Sequence, residues 1–134
     1  LSQIHPAPWV VGQQARAALR LAPATSARTM RLVLQRVSEA SVTVDGEVVG
    51  RIGAGLMCLV GISAEDGPSA IEWATRRILG IRLWEDAGKA WTKSVTALGL
   101  EVLIVSQFTL YCALKGHKPD FHYAMPPAPA REFW

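Results

Sequence analysis

Met30-Arg31-Leu32-Val33-Leu34-Gln35-Arg36-Val37 opens the part of the chain in which apolar side chains recur every second residue, the spacing of a half-buried β-strand. Leu32 and Leu34 share one face of a strand predicted over Arg31–Val37, and the same alternation assigns Arg36 to that apolar face. Val42 and Val44 continue in a second strand. Asp45-Gly46 supplies the positive φ angles of a tight hairpin, and Glu47–Ile52 returns antiparallel. Leu56–Ile62 is apolar throughout and is expected to be covered on both faces. Asp66-Gly67-Pro68 opens a helix, where proline fits because its absent N–H has no helical partner in the first turn. Ile71, Trp73, Ala74 and Ile78 are expected to face the core, and Glu72 can pair with Arg76 one turn on. Ile81–Trp84 reads as a short strand, Glu85–Lys89 as a turn and Leu100–Gln107 as a long apolar strand; a second helix starts near Pro127 or Pro129. Three early strands at hairpin spacing argue against a doubly wound nucleotide fold, and no GxGxxG or GxxxxGK[ST] phosphate loop is present.

Composition narrows the function classes. The 134 residues are 50% apolar and 19% charged, which suits one soluble domain with a sizeable core. Gly53–Ile62, the longest run without a charged or strongly polar residue, is about half of what a spanning helix needs, so no membrane partner is expected. The net charge of +3 is uneven: residues 1–29 hold Arg16, Arg20 and Arg28 and no acid, while residues 30–134 carry 11 basic and 11 acidic side chains. Residues 1–29 are rich in Ala, Arg, Gln, Ser and Pro, with one helix-capable piece at Gln13–Leu21. Disorder is expected there, and the composition weakly resembles an organelle leader, although the chain begins with Leu1. Cys58 and Cys112, in apolar settings and far apart, match no zinc or redox spacing and read as reduced, packed thiols of a cytoplasmic protein, with the nucleus as a second address. His117 and His122 lack the partners of a metal site, so neither a metal nor a cofactor is expected.

The chemistry is concentrated in Val105-Ser106-Gln107-Phe108-Thr109-Leu110-Tyr111 and the following Leu114-Lys115-Gly116-His117-Lys118-Pro119-Asp120-Phe121-His122. An apolar strand ends in hydroxyls and an amide, and a basic loop with aromatics follows. Ser106 and Thr109 can simply satisfy backbone groups where the strand stops, with Gln107 facing water. Period two instead puts Gln107 and Thr109 on the face of Leu103 and Val105, where buried polar groups require partners, and a ligand is one. No base is expected to activate a hydroxyl: neither histidine is assigned a local aspartate, and no GxSxG elbow occurs. Lys115, His117 and Lys118, beside Tyr111 and Phe121, suit a phosphate backbone and a stacked base.

These segments resemble the D-aminoacyl-tRNA deacylases, in particular their animal branch. The resemblance rests on Met30–Val37, Ala40-Ser41-Val42-Thr43-Val44, Gly61-Ile62-Ser63, Ser106-Gln107-Phe108-Thr109-Leu110, Lys115-Gly116 and Lys118-Pro119-Asp120-Phe121-His122, and runs from Met30 to Trp134. Ser106-Gln107 stands where a related branch acting on achiral substrates has a PQ-type motif. The resemblance implies an α+β fold with a barrel-like, mostly antiparallel β core and flanking helices, assembled as a homodimer. It implies hydrolysis of the ester joining a D-amino acid, or glycine, to the terminal adenosine of tRNA. Ser106, Gln107, Phe108 and Thr109 would line the aminoacyl pocket, with backbone N–H groups near Phe108 and Thr109 polarising the carbonyl. Water, assisted by the RNA's own 2′-hydroxyl, would attack. Arg36 would position the pocket wall or the partner's chirality selector, and Lys115, Gly116, Lys118 and Phe121 would hold the tRNA end.

The family's selector is a Gly-cisPro element within an NxGPVT motif, and no such motif occurs here; the one Gly-Pro, Gly67-Pro68, is at a helix start. Residues 30–134 are thus expected to be the N-terminal part of a deacylase domain whose C-terminal strands are missing. Such a chain alone is expected to fold poorly, to expose strand edges and an apolar patch, and to have little selective activity. The second reading, of a different class, is a catalytically impaired nucleic-acid-binding or regulatory protein. DNA is its less favoured partner, because balanced charge over residues 30–134 offers no general affinity for a polyanion.

Overall fold

The computed structural model describes residues 3–4 and 30–133. The expected disorder of residues 1–29 therefore falls almost entirely outside the described residues. In chain order the strands are β1 (Gln3–Ile4), β2 (Arg31–Val37), β3 (Ala40–Val44), β4 (Glu47–Ile52) and β5 (Gly55–Gly61), followed by helix α1 (Pro68–Gly80). Then come β6 (Arg82–Asp86), β7 (Lys89–Ser94), β8 (Glu101–Ser106), a 3-10 turn (Phe108–Tyr111), β9 (Ala113–Lys115), β10 (Lys118–Asp120) and α2 (Pro127–Glu132). The class is α+β and most strand pairs are antiparallel.

The early strands do not form one meander. The β3–β4 hairpin forms as expected, with Asp45 at φ 50° and Gly46 at φ 87° in its turn. However, β2 pairs with β5, antiparallel from Arg31 opposite Gly61 to Val37 opposite Gly55, and not with β3. Strand β8 lies parallel on the other edge of β5. A parallel pair needs a long crossover, and α1 with the β6–β7 hairpin fills it.

Strand β5 carries the core on both faces, as its uninterrupted apolar run requires. On one face Leu56, Cys58 and Val60 meet Leu32 and Leu34, Val102, the Ala70–Ala74–Ile78 stripe of α1 and Met125. On the other face Met57 and Leu59 meet Val37, Leu103, Ala40 and Ile52. Each large side chain so buried contributes roughly 1.5–3 kcal/mol. Trp73 and Ile71 pack partly buried against the first cluster, and Arg76 meets Glu72 at 3.3 Å across an exposed helix turn.

Three expectations are corrected. Residues 85–89 are not a plain turn: β6 runs through Asp86, Ala87 (φ 48°) and Gly88 (φ 77°) make the turn, and β7 follows. Neither the polar sequence of β7 nor a turn with alanine where Asn or Asp is usual gives a strand signal. Arg36 does lie in register with Leu32 and Leu34, but its side chain is exposed at the end of the strand; Nη1 donates to the Leu83 carbonyl at 2.8 Å and the guanidinium sits 5.2 Å above Trp84. Of the two free thiols Cys58 is buried, and burial pushes it up to about 12, whereas Cys112 is exposed and fills no core position.

Gly55 permits the β5–β8 pairing: a Cβ there would lie 1.9 Å from the Glu101 carbonyl oxygen. Gly80, with nothing within 4 Å of its own Cβ position, is the matched control. Gly55→Ala is expected to lower unfolding free energy by about 3 kcal/mol or more, and Gly80→Ala to change it by less than about 1 kcal/mol, measured by urea titration. Equal midpoints for the two variants would remove the close approach from the account of the fold.

Candidate active site

The strand alternation that placed Gln107 and Thr109 beside Leu103 and Val105 stops at Ser106. Gln107 adopts φ −144°, ψ 82°, and the chain then winds into the Phe108–Tyr111 turn. Gln107 and Thr109 are nonetheless brought together, because the Gln107 amide donates to the Thr109 hydroxyl; both residues are half-buried. They satisfy each other instead of capping the strand. Ser106 is exposed, and Phe108 presents 55% of its surface to solvent.

Three contacts set the turn on the end of β5. The Gln107 N–H donates to the Val60 carbonyl at 2.8 Å, extending the β5–β8 ladder by one rung. Gly61 lets the turn lie flat, since a Cβ there would come within 2.9 Å of Leu110 Cβ and 3.2 Å of the Gln107 carbonyl oxygen and the Tyr111 ring. Arg31, opposite Gly61 in the β2–β5 register, donates from Nη1 to the Leu110 carbonyl at 2.6 Å.

Behind the turn lies a buried polar group. The Asp66 carboxylate accepts the Ser63 N–H at 2.6 Å, and the Ser63 hydroxyl accepts the Glu65 N–H at 3.2 Å. Burial raises the Asp66 carboxyl, against backbone hydrogen bonds from Ser63 and Met30. Tyr111, 2% exposed, has its hydroxyl pushed up to about 12, first by burial and then by the nearby Asp66 charge. Sequence reasoning offered Tyr111 with Phe121 for stacking a base, which the burial of Tyr111 corrects; it gave Arg31 no role and read Asp66 only as part of a helix start, since a strand cation and an aspartate before a helix carry no signal of a shared destination.

The basic segment is a hairpin, β9–β10, with Gly116 at φ 63° in its turn. It is drawn to the site by the chain that follows: Met125 N–H donates to the Ile62 carbonyl at 2.8 Å, Ala64 N–H to the Tyr123 carbonyl at 3.1 Å, and Ser63 bridges Ala124. Phe121 thereby meets Phe108 edge-on, with ring centroids 5.3 Å apart at 74°, a preferred aromatic geometry. Lys115, Lys118, Pro119, Asp120 and Phe121 line an open hollow of about 330 Å³. Arg36 is not brought to this group. It pairs with Leu56, five residues along β5 from Gly61, a distance of about 17 Å at the rise of a strand.

The histidine reading also changes. Asp120 is a local partner of His122, accepting its N–H at 3.0 Å with ring Nδ1 2.8 Å away, and it pairs with the Lys115 ammonium as well. The Lys115 contact, followed by His122, holds the Asp120 carboxyl well below the usual carboxylate range, and Lys115 is raised in return. Among the described residues the side-chain partner shown for His122 is Asp120, not a serine or threonine hydroxyl. No group of three His, Cys, Asp or Glu able to hold a metal occurs among them, and no described helix is long and apolar enough to cross a membrane.

The family model for D-Tyr-tRNA(Tyr) deacylase matches residues 33–134, and the chain belongs to that family. It is 54% identical over 106 residues to the mouse D-aminoacyl-tRNA deacylase 1, an alignment covering 78% of this chain and 51% of the mouse protein. It is 48% identical over 107 residues to the Dictyostelium discoideum D-aminoacyl-tRNA deacylase, covering 78% of this chain and 71% of that protein. A solved structure named c-Myc DNA Unwinding Element Binding Protein superposes with a TM-score of 0.72 at 53% identity, over 76% of this chain and 69% of the other. The chain spans about half the length of the mammalian relatives it matches.

The depressed Asp120 carboxyl makes the hairpin pH-sensitive. Because the folded form favours the ionised carboxylate, its contribution is present above the ordinary aspartate value of about 4 and is lost as pH falls toward the lower folded value. Amide shifts of Ala113–Asp120 followed by NMR are expected to show a step below about pH 4, and Asp120→Asn is expected to abolish that step. A step of the same size in Asp120→Asn would assign the transition to another group.

Proposed function

We propose that the whole protein hydrolyses the ester of D-aminoacyl-tRNA, glycyl-tRNA included, and so removes mischarged amino acids before translation. The observation that carries this reading is the junction of the two motif segments: the Gln107–Thr109 turn and the basic hairpin meet through Phe108 and Phe121. That junction sets the half-buried Gln107–Thr109 pair next to the cationic side chains of the hairpin hollow, which suits an aminoacyl group continuous with an RNA end. Family membership and relatives named as deacylases support the same activity.

In this reading Ser106, Gln107, Phe108 and Thr109 line the aminoacyl pocket. The N–H groups of Phe108 and Thr109 open the 3-10 turn, where helical geometry supplies no acceptor, and they polarise the ester carbonyl. In this reading Thr109 is not the nucleophile, which its hydroxyl's role as acceptor from the Gln107 amide supports. Water attacks, aided by the RNA's 2′-hydroxyl. Lys118 and Gly116 receive the tRNA end with Phe121, while Lys115 acts through its pair with Asp120. Arg36 positions a chirality selector from a partner subunit in a homodimer, whose barrel-like β core the β2–β5–β8 sheet begins. The two unpaired thiols suit a reducing compartment such as the cytoplasm. Balanced charge over residues 30–134 gives the DNA-binding reading no comparable support.

Two substitutions separate this mechanism from acyl-enzyme chemistry. With D-tyrosyl-tRNA as substrate, Thr109→Val is expected to retain activity within about tenfold. A tRNA ending in 2′-deoxyadenosine is expected to react about 100-fold more slowly or worse. Trapping of an acyl ester on Thr109 would refute water attack. Lys118→Ala is expected to weaken tRNA binding and to reduce the slope of log affinity against log salt by about one; an unchanged slope would remove Lys118 from the RNA contact.

A further inference from the structure

We propose that Arg31 is a positioning residue for the Phe108–Tyr111 turn, a clamp that fixes the far end of the candidate active site to the sheet; the proposal rests on the deacylase reading of that turn. The near end is fastened by backbone alone, Gln107 N–H to the Val60 carbonyl. The far end has no such rung, because the chain has left the strand. Arg31 supplies the connection from the neighbouring strand: its Nη1 reaches the Leu110 carbonyl at 2.6 Å while its guanidinium lies 4.6 Å from the centroid of the Tyr111 ring. Register explains why this arginine and no other side chain of β2 can do so. Arg31 is opposite Gly61, and Gly61 is the residue on which Leu110 and Tyr111 rest.

The two contacts act on successive residues of the turn. A guanidinium can donate in its plane and stack through its face at once, which an ammonium cannot. Below the stack, buried Tyr111 is set against the Ser63–Asp66 group, so the ring has a fixed floor and Arg31 is its lid. The groups facing Arg31 are the Leu110 carbonyl and the Tyr111 ring, with the Asp66 charge behind the ring. Arg31 itself is exposed and outside both core clusters. Its loss therefore moves the turn without opening the core. Because rate depends steeply on the placement of reacting groups, displacement of the turn acts on kcat. Binding of the tRNA end by the basic hairpin is left unchanged.

The test compares Arg31→Met, which keeps the aliphatic stem, with Arg31→Lys, which restores a donor. Two probes are used: hydrogen exchange at the Leu110 and Cys112 amides, which donate to the Gln107 and Thr109 carbonyls, and steady-state deacylation of D-tyrosyl-tRNA. In Arg31→Met the two amides are expected to exchange about tenfold faster while amides of β5 keep their protection. In the same variant kcat is expected to fall about tenfold with KM within about twofold, and Arg31→Lys to recover part of both losses. Unchanged exchange at the two amides in Arg31→Met overturns the clamp. Faster exchange spread over β5, or a loss confined to KM, overturns it as well. If the parent protein shows no deacylation, the deacylase reading fails by itself, and the two amides still decide whether Arg31 holds the turn.

Discussion

Strand β5 has no face to spare. Side chains from Leu56 to Val60 point alternately into two apolar clusters, its two edges are taken by β2 and β8, and its ends are glycines against which other backbone lies. Every element that builds the candidate site is referenced to this strand. β2 brings Arg31 opposite Gly61, β8 runs parallel and delivers Gln107 to Val60, and residues 62–64 capture Tyr123–Met125. A strand buried on both faces cannot slip by one residue without turning its whole apolar set out of register with both clusters. The register that positions the site is therefore enforced by core packing on both sides.

The site has a different character from the core beneath it. Its polar groups are arranged in short local pairs: Gln107 with Thr109, and Asp120 with both Lys115 and His122. Its aromatics meet at one edge contact between Phe108 and Phe121. Such an arrangement leaves Phe108 largely exposed and Lys118 at the surface. Nearby Ile104 and Leu114 are also exposed, at 46% and 71%.

Much of this was legible in the residues alone. Period-two alternation located β2, the Asp45-Gly46 pair located a hairpin, and the doubly apolar run identified the central strand, because burial demands are written into local pattern. The motif segments Ser106–Leu110 and Lys115–His122 identified the family. Where local pattern is weak the reading failed for definite reasons. β7 is polar and enters from an Ala-Gly turn. The helical wind after Ser106 follows a strand whose alternation is still running, and Asp120 was overlooked as the partner of His122 although it stands two residues away.

The sequence by itself determined which residues must be buried and which segments carry chemistry, since both follow from side-chain type and spacing. Only the tertiary structure decided who stands next to whom. Pairing of β2 with β5, between residues 18 to 30 apart in the chain, put Arg31 at the turn and carried Arg36 to the opposite end of the strand, onto Leu83 and Trp84. The physical reason is that strand pairing is set by the fit of whole faces against a shared core. No individual arginine encodes that fit.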